Sequence, residues 1–189
     1  MAFERPRELT DPRAMRAMAH PVRLALMEAI SHHGQLTATQ AAEIVGESPS
    51  NCSFHLRQLA KYGFVEEADG GTGRQRPWRN VHTGMRFTDV QEDPETALAA
   101  GALARMFHER HLERARVGME RRQYLPEEWR RVTGFDQMTL YVTPDEMKQI
   151  NDEILDVVLR YRDRIADPSK RPDGAGRLEM VAFAYPVED

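Results

Sequence analysis

Ser50, Phe54, Arg57 and Lys61 follow one another at steps of four, three and four residues. At roughly 100° per residue, that spacing sets a hydroxyl, an aromatic ring and two cations on one face of a helix. Cys52, Leu56 and Leu59 fall on the opposite side, where the helix would lie on a core. Such an outward face suits a helix placed in the major groove of DNA. Short side chains near its start let the backbone come close, Arg57 can bond a guanine edge bidentately, and Phe54 can touch a thymine methyl. Ser48 and the first free amides of the helix can meet a phosphate. Arg74, Arg76 and Arg79 follow in a glycine-rich stretch, from which they can reach the backbone or the adjacent minor groove. An Arg and Lys face taken alone is usually just solvated, and Phe54 could pack elsewhere on the chain. The surrounding elements are what argue for DNA.

Those elements are legible from caps and breakers. Asp11-Pro12 reads as an N-cap with proline at the first helical position, and His20-Pro21 restarts a helix through Val22, Leu24, Leu26, Met27 and Ile30 until Gly34. Thr37 caps a short helix burying Ala41, Ala42, Ile44 and Val45, which Gly46 ends. Ser48 caps the next, with Pro49 at its first position and an extent of 49–62. The tight joint at Gly46-Glu47 predicts a helix-turn-helix. Phe64 to Asp69 and Trp78 to His82 then read as two strands around a breaker-rich tip, 70–77. A basic hairpin of this kind makes the wing of a winged helix-turn-helix.

From Asp93-Pro94 a long helix is predicted to reach the vicinity of Gln123. Ala97, Gly101, Ala104, His108, His111, Ala115 and Gly118 recur along it at alternating steps of four and three. They form a seam of small residues where a second helix could approach closely, the expected dimer interface. After a polar connector, Met138 to Val142 reads as a strand and Thr143-Pro144-Asp145-Glu146 as a capping box. Met147, Ile150, Ile154, Val157 and Tyr161 mark a helix face through about Ile165, and Leu178 to Tyr185 reads as a final strand. The fold expected is mainly α with small β: a winged helix-turn-helix over 1–90, then a dimerisation helix and an α+β C-terminal domain over 91–189.

Bulk properties bound the function classes. The chain of 189 residues is 41% hydrophobic and carries a net charge of −4, which suits a soluble globular protein. Residues 1–90 hold 11 basic and 10 acidic residues and residues 91–189 hold 15 and 20, which excludes a uniformly basic coat for nucleic acid. Between Ser48 and Thr88, however, six basic residues stand against three acidic ones. No apolar run suits a membrane span or secretory signal, and with Cys52 as the single cysteine a cytoplasmic location is expected, with no membrane partner.

The segments MAHPVRLALMEAI, TATQAAEIVGESPSNCSFHLRQLAKYGFVEE and GGTGRQRPWR together resemble the ArsR-type winged-helix transcription regulators, in which a His-Pro-x-Arg opening and a Ser-x-His-Leu recognition-helix core recur. The resemblance covers roughly Asp11 to Asp89. It implies a homodimer binding an inverted repeat of double-stranded DNA, usually as a repressor released by a signal. It also implies that Ser50, Asn51, Ser53, Arg57 and Gln58 lie at the DNA, with His55 and Leu56 turned more to the domain. Phe54 departs from the basic residue often found there.

Part of that family senses metals through paired cysteines, whose positions here are Thr37 and Thr39, so the thiolate ligands are missing. His108 and His111 could share a metal with Glu95 of a partner chain, yet the ligand set is incomplete, and interface packing is the simpler reading. No metal and no cofactor are therefore expected. Enzyme readings fail at the motif level: His108-Glu109-Arg110-His111 lacks the spacing of a zinc protease, and neither a phosphate loop nor a Gly-x-Ser-x-Gly elbow is present. The expected function is sequence-specific transcription regulation, with a small-molecule effector as an open element. The alternative is a winged-helix module for protein contacts, its basic face docking on an acidic partner.

Overall fold

The structure, a computed structural model, describes residues 7–70, 76–82 and 84–187. Strand β1 (Arg7–Glu8) leads into α1 (Pro12–Met18), α2 (Pro21–His33), α3 (Ala38–Val45) and α4 (Pro49–Lys61). Each helix starts where a side chain accepts a backbone N–H. The acceptors are Asp11 for α1, His20 Nδ1 for α2, Thr37 in a reciprocal box with Gln40 for α3, and Ser48 for α4. Gly46 ends α3 at φ 75°, in the left-handed region that glycine enters without a Cβ penalty, and this lets α4 begin after only Glu47 and Ser48. Gly63, at φ 70°, likewise turns the exit of α4 into the sheet.

Strands β2 (Val65–Glu67) and β3 (Trp78–Asn80) pair antiparallel, with Val65 opposite Asn80, Glu66 opposite Arg79 and Glu67 opposite Trp78. Leu36 bridges Trp78 on the other edge of β3 through two backbone hydrogen bonds of 2.8 and 3.0 Å. Strand β4 (Met85–Arg86) pairs parallel with β1, a ladder the sequence did not announce. The architecture is thus mainly helical with a small sheet, a winged helix-turn-helix followed by the long helix α5 (Pro94–Arg121). The tip residues 71–75, Arg74 among them, lie outside the described residues.

The chain forms two units, divided between Glu109 and Arg110 within α5. The first has a continuous apolar core: Met15 and Met18 from α1, Leu26 and Ile30 from α2, Ala41 from α3, Cys52, Leu56 and Leu59 from α4, and Val65 from β2. Burial of each large side chain contributes about 1.5 to 3 kcal/mol. Ala99, Ala100 and Leu103 of α5 join that core, so this unit extends past residue 90, where the sequence reading divides the chain. Arg16 bonds Glu95 at 2.7 Å and ties α1 to the first turn of α5. Ile44, expected inside, is 48% exposed, because the short α3 turns only Ala41 and Ala42 fully inward.

The second unit holds the rest of α5, then α6 (Glu127–Val132), α7 (Pro144–Leu159) and α8 (Asp163–Ala166). Helix α6 occupies the stretch expected as a polar connector. The predicted Thr143–Glu146 box caps α7. That helix stops at Leu159 instead of continuing to Ile165, because the amides of Arg160, Tyr161 and Arg162 bond three residues back and tighten the last turn. Met138 to Val142 and Leu178 to Tyr185, both expected as strands, form no ladder among the described residues, since neither has a strand alongside it. The α7 face of Ile154, Val157 and Tyr161, expected to pack, is largely exposed.

Candidate nucleic-acid interface

Helix α4 is seated by Cys52, His55, Leu56 and Leu59, all buried. The residues between them consequently point outward: Ser48, Ser50, Phe54, Arg57 and Lys61 are exposed, while Asn51, Ser53 and Gln58 are half-buried at the margins. At the start of the helix, Ser48 Oγ accepts the Asn51 amide at 3.2 Å and lies 3.1 Å from Ser50 Oγ. Asn51 Nδ2 donates to Glu47 Oε2 at 2.9 Å. That bond holds the Asn51 amide group and places a carboxylate beside the helix start, a neighbour that phosphate would have to tolerate.

Phe54 stands half out of the surface, 51% exposed, with its ring edge-on to His55 at 5.2 Å. The His55 imidazole in turn lies 4.5 Å from that of His20, the residue capping α2. Both imidazoles titrate below the usual histidine range. For His20 burial is the main cause and Arg23 adds to it; for His55 burial again leads, followed by His20 and Arg23. At neutral pH they are therefore neutral, and the positive charge of α4 belongs to Arg57 and Lys61. The ammonium of Lys61 sits 5.6 Å over the Tyr62 ring. Arg57 has no ion pair among the described residues.

The wing is less cationic than its arginine count suggests. Arg79 Nη2 lies 2.7 Å from Glu66 Oε1, and Arg76 Nη1 lies 3.2 Å from Glu67 Oε2. The antiparallel register puts Glu66 directly across from Arg79, so the pair follows from strand pairing, which charge counting along the sequence does not reveal. Exposed pairs of this kind are worth about 0 to 1 kcal/mol, and a phosphate can replace the carboxylate at small cost.

Two contributors escaped the sequence reading. Arg7 donates from Nη1 to the Tyr62 carbonyl at 2.7 Å and lies 4.9 Å over the Phe64 ring, which fastens β1 to the exit of α4. Asn80 donates to the Met27 carbonyl at 3.2 Å and fastens the wing to α2. An Arg near a chain start and an Asn in a strand carry no spacing signal that could have disclosed either role.

Along α5 the small residues Ala97, Gly101 and Ala104 are half-buried, while His108 and Ala115 are exposed and His111 is half-buried. They lie on a different side of the helix from the buried Thr96, Ala99, Ala100 and Leu103. His111 Nδ1 is 3.6 Å from Glu179 Oε1, and Glu95 is engaged by Arg16. Among the described residues no cluster of three or more His, Cys, Asp or Glu could hold a metal ion. Burial raises the pKa of the Cys52 thiol, with Glu47 adding to the shift, so it stays protonated and is a poor ligand. Among the described residues no helix is long and apolar enough to cross a membrane.

A family model described as a helix-turn-helix domain matches residues 18–68, from the end of α1 to the residue after β2. No curated protein matches the chain.

Proposed function

We propose that this helix-turn-helix chain is a homodimeric, sequence-specific transcription regulator of the ArsR-like type, a cytoplasmic repressor that binds an inverted repeat in double-stranded DNA. The observation that carries the reading is the division of α4: four buried residues seat it, and Ser50, Phe54, Arg57 and Lys61 are exposed on its outer face. In this reading Ser48 and Ser50 face a phosphate at the helix start, Ser53 and Gln58 flank the base-reading face, and Arg57 reads a guanine. Asn51 joins them once it gives up Glu47. Arg74, Arg76 and Arg79 follow the backbone from the wing. The seam of Ala97, Gly101, Ala104, His108, His111 and Ala115 pairs two copies, so that two α4 helices enter successive major grooves about 34 Å apart. Repression and release by a small-molecule effector follow from the family resemblance.

Selection of bound sequences from random DNA tests the proposal. A recurrent palindrome with half-sites about one helical turn apart is the expected result. The paired wing arginines favour a second reading, a winged-helix module for protein contacts, which would return no recurrent sequence.

A further inference from the structure

One residue on the outer face of α4 is neither core nor polar. Phe54 is 51% exposed and takes no part in the apolar core of the first unit. Its ring is nevertheless supported: it stands edge-on to His55, with centroids 5.2 Å apart and planes at 73°. His55 is itself buried and lies 4.5 Å from His20, so the support under the ring belongs to the packed part of the domain. Ser50, one turn earlier, has its hydroxyl 3.1 Å from Ser48 Oγ and is too short to cover the ring. A ring held from below presents an apolar contact at a fixed place and loses little freedom when a partner covers it.

Arg57 follows three residues on, exposed and without an ion pair among the described residues. Side chains three apart on a helix have Cβ atoms about 5 to 6 Å from each other, and successive bases of a DNA strand rise about 3.4 Å, so the two residues address neighbouring base pairs. In the major groove a methyl group marks a pyrimidine substituted at C5, and the paired acceptors O6 and N7 mark guanine, the partner of an arginine fork. An aromatic edge gains from the methyl. Over a donor or acceptor it would displace water without replacing the lost hydrogen bond.

We propose that Phe54 and Arg57 act as one unit and read a two-base-pair step in each half-site, a C5-methyl pyrimidine beside a guanine, with Phe54 as the specificity-determining residue for the methyl. The group recognised is the methyl itself, which thymine always carries and cytosine carries when methylated at C5. The inference rests on the DNA-binding reading proposed above and deepens it.

The test uses the full chain and the recurrent palindrome returned by selection. Four duplexes carry thymine, deoxyuridine, C5-methylated cytosine or cytosine at the pyrimidine of the step, so that each pair differs by one methyl and keeps its hydrogen-bonding edges. Wild-type protein should bind the methyl-bearing member of each pair about fourfold more tightly per half-site, the value of burying one such group. Phe54→Ala, which lies outside the core and should keep the wild-type melt, should bind both members alike. Tighter binding of the thymine duplex than of the methylated-cytosine duplex assigns the step to ordinary thymine, and the reverse order assigns it to methylated DNA; either order supports methyl reading. Equal wild-type affinity within both pairs overturns the proposal. So does a methyl preference of the same size in Phe54→Ala, which would trace the effect to duplex shape, or a palindrome with no pyrimidine beside a guanine. A selection that returns no palindrome removes the DNA reading and this step together, whereas a palindrome indifferent to the methyl removes this step alone.

Discussion

The imidazole of His55, buried in the middle of α4, lies 4.5 Å from that of His20 at the cap of α2, with the rings tilted by 39°. The pair joins the outward-facing helix to the helix that supports it. His20 Nδ1 accepts the Val22 amide, so a proton gained there removes the cap. Around the two rings Arg23 adds positive charge, and Glu47 is the acidic group that opposes it.

Because both histidines titrate below their ordinary value of 6.5, the unfolded chain binds more protons than the folded one as pH falls through that value. Stability is therefore complete above about pH 6.5 and declines as pH falls toward the lowered folded-state values. Thermal melts between pH 7.5 and 5 should show a falling Tm, and His55→Phe should flatten that slope. A Tm that rises on acidification would contradict the linkage.

Arg57→Ala should weaken binding to the selected palindrome by about 1 to 3 kcal/mol and relax the preference at one base position, with little effect on the melt. Phe54→Ala should relax a neighbouring position without altering the salt dependence, since it removes no charge. Binding titrations on single-base variants of the site separate the two. Wild-type affinity in Arg57→Ala would remove α4 from the interface.

Glu66→Gln releases Arg79 from its cross-strand partner. Folding stability should change by no more than about 1 kcal/mol, while binding to unrelated DNA should strengthen and its dependence on salt should steepen. Arg79→Ala should do the reverse. Salt titrations with a duplex of random sequence would show it, and an unchanged slope in both variants would leave the wing without phosphate contacts.

Gly46→Ala places a Cβ in open space, with no heavy atom within 4 Å, so its whole cost is the backbone at φ 75°. Destabilisation by about 1 to 2 kcal/mol is expected in urea titrations. Leu56→Ala, which empties a fully buried site, should cost about 2 to 5 kcal/mol. A neutral Gly46→Ala would mean that the joint between α3 and α4 tolerates another conformation.

Local chemistry made much of the first unit legible. Asp11-Pro12, His20-Pro21, Thr37 and Ser48-Pro49 fix helix starts because each supplies an acceptor or a preset φ, and Gly34 and Gly46 fix ends because each enters positive φ. The outward face of α4 followed from the same periodicity. Long-range pairing left no such trace. Arg7 opposite Met85 is a ladder of two short strands distant in sequence, and the pairing of Glu66 with Arg79 depends on hairpin register. Helix α6 lacked an apolar stripe to reveal it. In the second half, β-propensity identified Met138 to Val142 and Leu178 to Tyr185 as strand-like, but propensity describes a segment and cannot supply its neighbour.

The bond from Arg7 to the Tyr62 carbonyl works as a buckle. A fragment trimmed to the matched span of 18–68 would keep every residue on the outer face of α4 and both of its supporting histidines, yet it would be unfastened at the point where that helix hands over to β2. Shortened versions of the protein should therefore be cut upstream of Arg7, however little the leader looks like part of a reader of DNA.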